Sequence, residues 1–171
     1  MEEIVKRKEF FEALGHLVWS FAGLDFLIRH NLWLIKGISP SKARKEIDFR
    51  FSDVIKDAKK GALKRFEQFP ELLNKIMTTL NKSEELNGKR NLIIHSSWWT
   101  DEQNIDKPYS AFRMDKRINN EFGGEWKDFT EKQIHEIAEE IIEVRLELFN
   151  LLPNMMEIVG IFPIEGVQKL K

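Results

Sequence analysis

Residues 70–97 read PELLNKIMTTLNKSEELNGKRNLIIHSS, and the reading of this stretch decides the fold. Pro70 opens it at the first-turn position where a helix tolerates proline, because that N–H has no intrahelical partner anyway. Leu73, Ile76, Met77 and Leu80 recur at three- and four-residue spacing, the mark of one helix face turned inward. Glu84, Gly88, Asn91 and His95 continue the same spacing as a polar stripe. The helix is predicted to run to about Ser97, with Leu92, Ile93 and Ile94 seating its end in the core. Gly88 leaves no side chain one turn before Asn91, which would permit another backbone to approach closely.

Working outward, residues 3–36 read as a long first helix. Phe10, Leu14, Leu17, Val18, Phe21, Leu24, Ile28 and Leu32 form its apolar face, and Gly37-Ile38-Ser39-Pro40 ends it. A second helix is expected to start near Ser41 or after Ser52, carrying Val54, Ile55, Ala58, Ala62, Leu63 and Phe66 inward. Its other face is basic: Lys56, Lys59, Lys60 and Lys64. After the third helix, Trp98–Thr100 and Tyr109–Met114 have the look of short strands around an Asn104–Pro108 turn. Gly123-Gly124 suggests another turn, and Glu125–Phe129 a third short strand or plain coil. Thr130 with Gln133 three positions on is a capping box for the last long helix. Ile134, Ile137, Ala138, Ile141, Ile142, Val144, Leu148 and Leu151 are its apolar face, and Pro153 is expected to end or kink it. The tail, with Met155, Met156, Ile158, Val159, Ile161 and Phe162, is apolar enough to pack back. The expected fold is all-α: an antiparallel bundle of four to five helices with a small β-hairpin insertion at about 98–129, in a single domain spanning residues 1–171.

Composition agrees with a globular chain. Of 171 residues, 42% are hydrophobic and 32% charged, with 13 Phe and 5 Trp, ample for a core and poor for bulk disorder. There is no cysteine, which excludes disulfides and Cys-based zinc or iron–sulfur sites and fits a reducing cytoplasm. The start, Met1-Glu2-Glu3, is acidic where a signal peptide would be basic. Leu17–Ile35 is about membrane-spanning in length, but Asp25, Arg29, His30 and Asn31 within it argue for a buried soluble helix and no membrane. Net charge is −1, unevenly spread. Residues 1–90 hold 18 Lys+Arg against 13 Asp+Glu, and residues 91–171 hold 9 against 15, so +5 and −6. A basic front and an acidic back could orient an anionic ligand or let two copies attract; a mixed solvated surface gives the same count.

The residues that carry chemistry are Arg90, Asn91 and His95. Histidine moves a proton near neutral pH. Arginine grips a phosphate with two parallel hydrogen bonds as charge builds. Together they supply what in-line cleavage of a phosphodiester needs without a metal. On a helix, Asn91 and His95 share a face, while the directions of Arg90 and His95 differ by roughly 140°. Either the arginine stem bridges that angle or a partner chain presents the second face. In the purely structural alternative, Asn91 and His95 cap the helix end and Arg90 pairs with Asp25 or Glu84. Asp25 would serve both readings by orienting Arg90.

Arg90-Asn91-x-x-x-His95 resembles the signature of the HEPN superfamily (higher eukaryotes and prokaryotes nucleotide-binding domains), which lies near the end of the third long helix of an α-helical bundle. Leu24-Asp25-Phe26 in helix one, the tryptophans soon after the histidine, and Phe129-Thr130 opening the final helix resemble the family's pattern as well. The resemblance implies a homodimer with the two motifs facing each other across the interface. It implies a metal-independent endoribonuclease of toxin–antitoxin, phage-defence or RNA-processing systems, or a dimeric member that has lost catalysis. His95 would then transfer the proton, Arg90 would hold the scissile phosphate, and Asn91 would orient either. The attacking group would be the RNA 2′-hydroxyl, leaving a cyclic phosphate, so DNA would be inert. Toxins of the family paired with a nucleotidyltransferase antitoxin often carry a tyrosine two residues after the histidine. Here that residue is Ser97, and the chain's single tyrosine is Tyr109, so control by nucleotidylation at that position is not supported.

Other candidates are weaker. His16, His30 and His135 are scattered, and His135-Glu136-x-x-Glu139 lacks the second histidine of a zincin, so a solvated helix face is expected there and no metal or cofactor. There is no Gly-rich phosphate loop. Trp98, Trp99, Tyr109, Phe112 and Trp126 either stack RNA bases or pin the hairpin to the bundle. Lys56, Lys59, Lys60 and Lys64, with Lys82 and Lys89, either track a phosphate backbone or form solvated faces. The leading expectation is an RNA-cleaving homodimer with Arg90, Asn91 and His95 catalytic. Lys89, Trp98, Trp99, Lys56 and Lys60 would contact substrate, and Asp25 and Glu84 would support the site. The alternatives are a non-catalytic dimeric interaction module and a nucleotide-binding sensor.

Overall fold

A computed structural model describes residues 2–39, 41–42, 50–99, 109–114 and 124–160. These form helix α1 (Glu2–Lys36), helix α2 (Phe51–Arg65), helix α3 (Pro70–Ile94), strands β1 (Ser97–Trp99), β2 (Tyr109–Met114) and β3 (Gly124–Phe129), and helix α4 (Glu131–Ile158). The fold is therefore mostly α with a small β insertion before the last helix, as the periodicity predicts. The insertion is a three-stranded antiparallel sheet in the order β1-β2-β3, one strand more than a hairpin. The Asn104–Pro108 turn, Thr100, Gly123, and the tail residues Ile161 and Phe162 lie outside the described residues.

The chain divides into two compact units, Met1–Ala22 with Glu85–Ile142, and Gly23–Glu84 with Glu143–Lys171. In the first unit, Ala13, Leu17, Leu86, Ile93, Ala111, Ile134, Ala138 and Ile141 are fully buried. In the second, Leu24, Ile28, Val54, Ile55, Ala58, Ala62, Phe66, Ile76, Leu80 and Leu148 are fully buried or nearly so. Most of the helical positions among these are ones the spacing assigns to the interior; Ala13 and Leu86 are additions to it, and Val18 and Leu63, expected inward, are exposed at 45% and 52%.

Helix boundaries follow local chemistry. Gly37 ends α1 in the left-handed region, φ 70°, where only glycine is unstrained. The Ile38 amide then donates to the Trp33 carbonyl at 3.0 Å, the six-to-one bond of a Schellman end. Helix α2 starts at Phe51 behind Arg50, whose side chain makes no cap bond. Of the two expected starts, the one after Ser52 falls two residues late, and Ser41 and Lys42 are themselves helical. Thr130 and Gln133 form the capping box: the Gln133 amide donates to Thr130 Oγ1 at 3.2 Å, and the Thr130 amide donates to Gln133 Oε1 at 2.9 Å. Pro153 neither ends nor breaks α4, which continues to Ile158. Leu151 and Met155 on either side of it are buried, at 8% and 0% exposure, and this packing holds the helical path across the missing N–H.

Among the described residues, one helix is long and apolar enough to cross a membrane, Arg7–Lys36 of α1. Its interior charges are matched locally. Arg29 Nε donates to Asp25 Oδ1 at 2.7 Å, one turn apart, and Asn31 Nδ2 donates to the Leu27 carbonyl at 2.7 Å.

Candidate active site

Helix α3 ends at Ile94, earlier than the predicted Ser97, and its last turn is rebuilt by side chains. Trp98 Nε1 donates to the Ile93 carbonyl at 3.0 Å, and Ser96 Oγ donates to the Leu92 carbonyl. These bonds take up carbonyls that a helix end leaves without amide partners. They also turn the chain directly into β1. His95 sits at this corner. Its amide still donates to the Asn91 carbonyl at 3.1 Å, so the four-residue relation of Asn91 and His95 survives past the helix end.

The three motif residues meet. Arg90 Nη1 donates to Asn91 Oδ1 at 2.9 Å and lies 3.3 Å from His95 Nε2. The arginine stem thus bridges the angle between positions 90 and 95 within one chain. Arginine has only donors, so a hydrogen bond across this contact uses His95 Nε2 as the acceptor. Beneath the guanidinium is Phe21 of α1, with the Arg90 guanidinium carbon 5.2 Å from the ring centroid. Phe21 is 7% exposed and Ile93 fully buried, so the cluster rests on packed apolar groups, while His95 itself is exposed. An exposed imidazole beside a half-buried, forked cation can receive a phosphate from solvent.

The remaining predicted residues are placed differently. Lys89 is bonded to Glu85 at 3.1 Å and to Glu140 at 3.2 Å. Burial pulls its pKa down, but the hydrogen bonds and charges of Glu85 and Glu140 outweigh that and raise it above 10.5. Its charge is spent on two carboxylates of the protein itself. Asp25 pairs with Arg29, and Glu84 with Lys59 Nζ at 2.6 Å. Asp25, Glu84, Lys56 and Lys60 belong to the second unit, whereas Arg90, Asn91, His95, Lys89, Trp98 and Trp99 belong to the first. Trp98 is turned into the fold: its ring meets Phe10 edge-on at 4.9 Å and Phe129 at 5.9 Å. Trp99, the next residue, is 62% exposed.

Phe21 is the site residue that sequence reasoning missed. It was legible only as one more member of the apolar face of α1. The structure also supplies His135 with a second histidine from the far end of the chain, His16, their Nδ1 atoms 3.1 Å apart. No group of three or more His, Cys, Asp or Glu side chains able to hold a metal ion occurs among the described residues. Compared with family models, with curated proteins and with solved structures, the chain matches none.

Proposed function

We propose that the protein is a metal-independent endoribonuclease of HEPN type, a homodimer working in the cytoplasm as part of a toxin or phage-defence system, with an antitoxin or other protein as its partner. One observation carries this reading: Arg90 Nη1 lies within hydrogen-bond reach of both Asn91 Oδ1 and His95 Nε2. A phosphate entering this cluster replaces the contact to His95, taking the guanidinium fork on one side and leaving the imidazole lone pair free on the other. His95 Nε2 then accepts the proton of the RNA 2′-hydroxyl as its oxygen attacks the adjacent phosphorus. The bond to the 5′-oxygen breaks, and that oxygen takes a proton from solvent. The products are a 2′,3′-cyclic phosphate and a free 5′-hydroxyl. Arg90 stabilises the extra negative charge at phosphorus, and Asn91 Oδ1 fixes the guanidinium plane. The exposure of His95 supports this role, because a histidine that served packing alone would be enclosed.

The test is cleavage of labelled single-stranded RNA in excess EDTA. Wild type is expected to cut RNA and leave DNA intact. His95→Ala is expected to lose about 10²–10⁴-fold in rate, and Arg90→Lys about 10²–10³-fold. Absence of cleavage by a folded dimer over several RNAs would overturn the nuclease and leave the interaction module.

A further inference from the structure

The β insertion sorts its aromatic side chains onto two faces. Cross-strand partners share a face and neighbours along a strand alternate. Ser97 pairs with Phe112 and Phe112 with Trp126; Trp99 pairs with Ser110 and Ser110 with Asp128. These six residues therefore form one face. Tyr109 pairs with Phe129 on the opposite face, where Tyr109 is buried and stacks on Phe10 at 3.9 Å, beside Trp98. The inner rings thus fasten the sheet to α1. Among the described residues the outer rings fasten nothing of that kind: Trp99 is 62% exposed and Trp126 57%, with Phe112 tilted against Trp126 at 4.7 Å.

We infer that this outer face is a stacking platform for single-stranded RNA, the binding surface that delivers a strand to Arg90 and His95; the inference rests on the nuclease reading above. The chemistry of the face favours bases over a protein surface. Its described side chains are three rings interleaved with Ser97, Ser110 and Asp128. Flat rings take the π-faces of successive bases, and the small polar groups beside them meet base edges. Ser110 Oγ already donates to Asp128 Oδ1 at 2.6 Å, which leaves the second carboxylate oxygen to accept from a base amino group. The face also has a fixed relation to the chemistry. β1 begins two residues after His95, and the bond from Trp98 Nε1 to the Ile93 carbonyl ties that strand to the end of α3. From His95 to Trp99 the chain spans four residues, at most about 13 Å, so a strand lying across Trp99 passes the imidazole within a few nucleotides.

The test separates this inference from the reading beneath it by using a single-stranded 2′-O-methyl RNA, which cannot supply the attacking hydroxyl. Binding is followed by quenching of tryptophan fluorescence and by anisotropy of a labelled strand. Trp99→Ala and Trp126→Ala are each expected to weaken binding by about 5- to 100-fold. Trp19→Ala, removing a tryptophan equally exposed on α1, is expected to leave it unchanged. Binding by wild type that depends on Trp99 and Trp126 without any cleavage of ordinary RNA upholds the platform and removes the nuclease. Cleavage by wild type with affinity unchanged in both variants overturns the platform and keeps the nuclease. Loss of self-association in Trp99→Ala and Trp126→Ala, measured by sedimentation, also overturns it, because the face is then an interface between copies. Absence of both binding and cleavage overturns both.

Discussion

Replacing Phe10 and Phe11 one at a time tests the account of how the sheet is held. The two are adjacent in α1 and chemically identical, yet Phe10 is 5% exposed and Phe11 66%. Phe10 stacks on Tyr109 at 3.9 Å and meets Trp98 edge-on at 4.9 Å. Truncating a buried phenylalanine costs about 3–5 kcal/mol, and each aromatic contact beyond simple burial adds about 0.5–1.5 kcal/mol. These terms overlap, so Phe10→Ala is expected to cost about 4 kcal/mol. Phe11 is mostly exposed and meets Phe10 edge-on at 5.8 Å, so Phe11→Ala is expected to cost under about 1 kcal/mol. With a urea slope of roughly 2 kcal/mol per molar, the midpoints separate by about 1.5–2 M. The assay is urea unfolding followed by near-ultraviolet circular dichroism, which reports the packed environment of Trp98, and by amide exchange in β2. Phe10→Ala is expected to lose the dichroism signal and β2 protection first. Equal midpoints for the two variants, or intact β2 protection in Phe10→Ala, would refute the claim that the inner aromatic face anchors the sheet.

Four further outcomes follow from individual contacts. His95→Ala is expected to shift stability by no more than about 0.5 kcal/mol, since the side chain is exposed, so any loss of RNA cleavage in that variant reports chemistry; thermal melting checks it. Thr130→Ala is expected to cost about 1 kcal/mol through loss of the α4 cap, seen as a lower urea midpoint. Lys89 has its pKa raised in the folded state, so the stability it contributes is fully present below pH 10.5 and is lost as pH climbs through the higher folded value; Lys89→Met is expected to flatten the alkaline limb of the stability profile. Gly88→Ala is expected to stabilise the chain by about 0.5–1 kcal/mol, because a Cβ there meets nothing within 4 Å, whereas Gly37→Ala is destabilising by about 1–2 kcal/mol, because its φ is 70° and a Cβ would meet the Arg65 guanidinium. Melting temperatures of the two glycine variants should move in opposite directions. If Gly88 also seats a second copy, sedimentation will show Gly88→Ala dissociating.

Local signals were enough for most of the architecture. The three- and four-residue spacing of Phe10, Leu14, Leu17, Phe21, Leu24 and Ile28, the Gly37 stop, and the Thr130–Gln133 box are each settled by a few consecutive residues and their backbone chemistry, so the sequence by itself determined the helices and the place of the β insertion. Pro153 misled because its local preference was outweighed by the buried neighbours Leu151 and Met155, two residues either way. The motif was legible as Arg90, Asn91 and His95, but whether position 90 could reach position 95 depended on how α3 ends. That end is set by Trp98 and Ser96 bonding back to carbonyls of the last turn. Tertiary structure alone decided the partners of the charges: Lys89 lies 51 residues from Glu140 and Lys59 lies 25 from Glu84, and spacing along the chain carries no information about such pairs. It alone placed Phe21 beneath Arg90. It alone divided the aromatic residues, sending Trp98 and Tyr109 inward and Trp99 and Trp126 outward, because side-chain direction in a sheet follows the pairing register, and register is a relation between strands that no single strand contains.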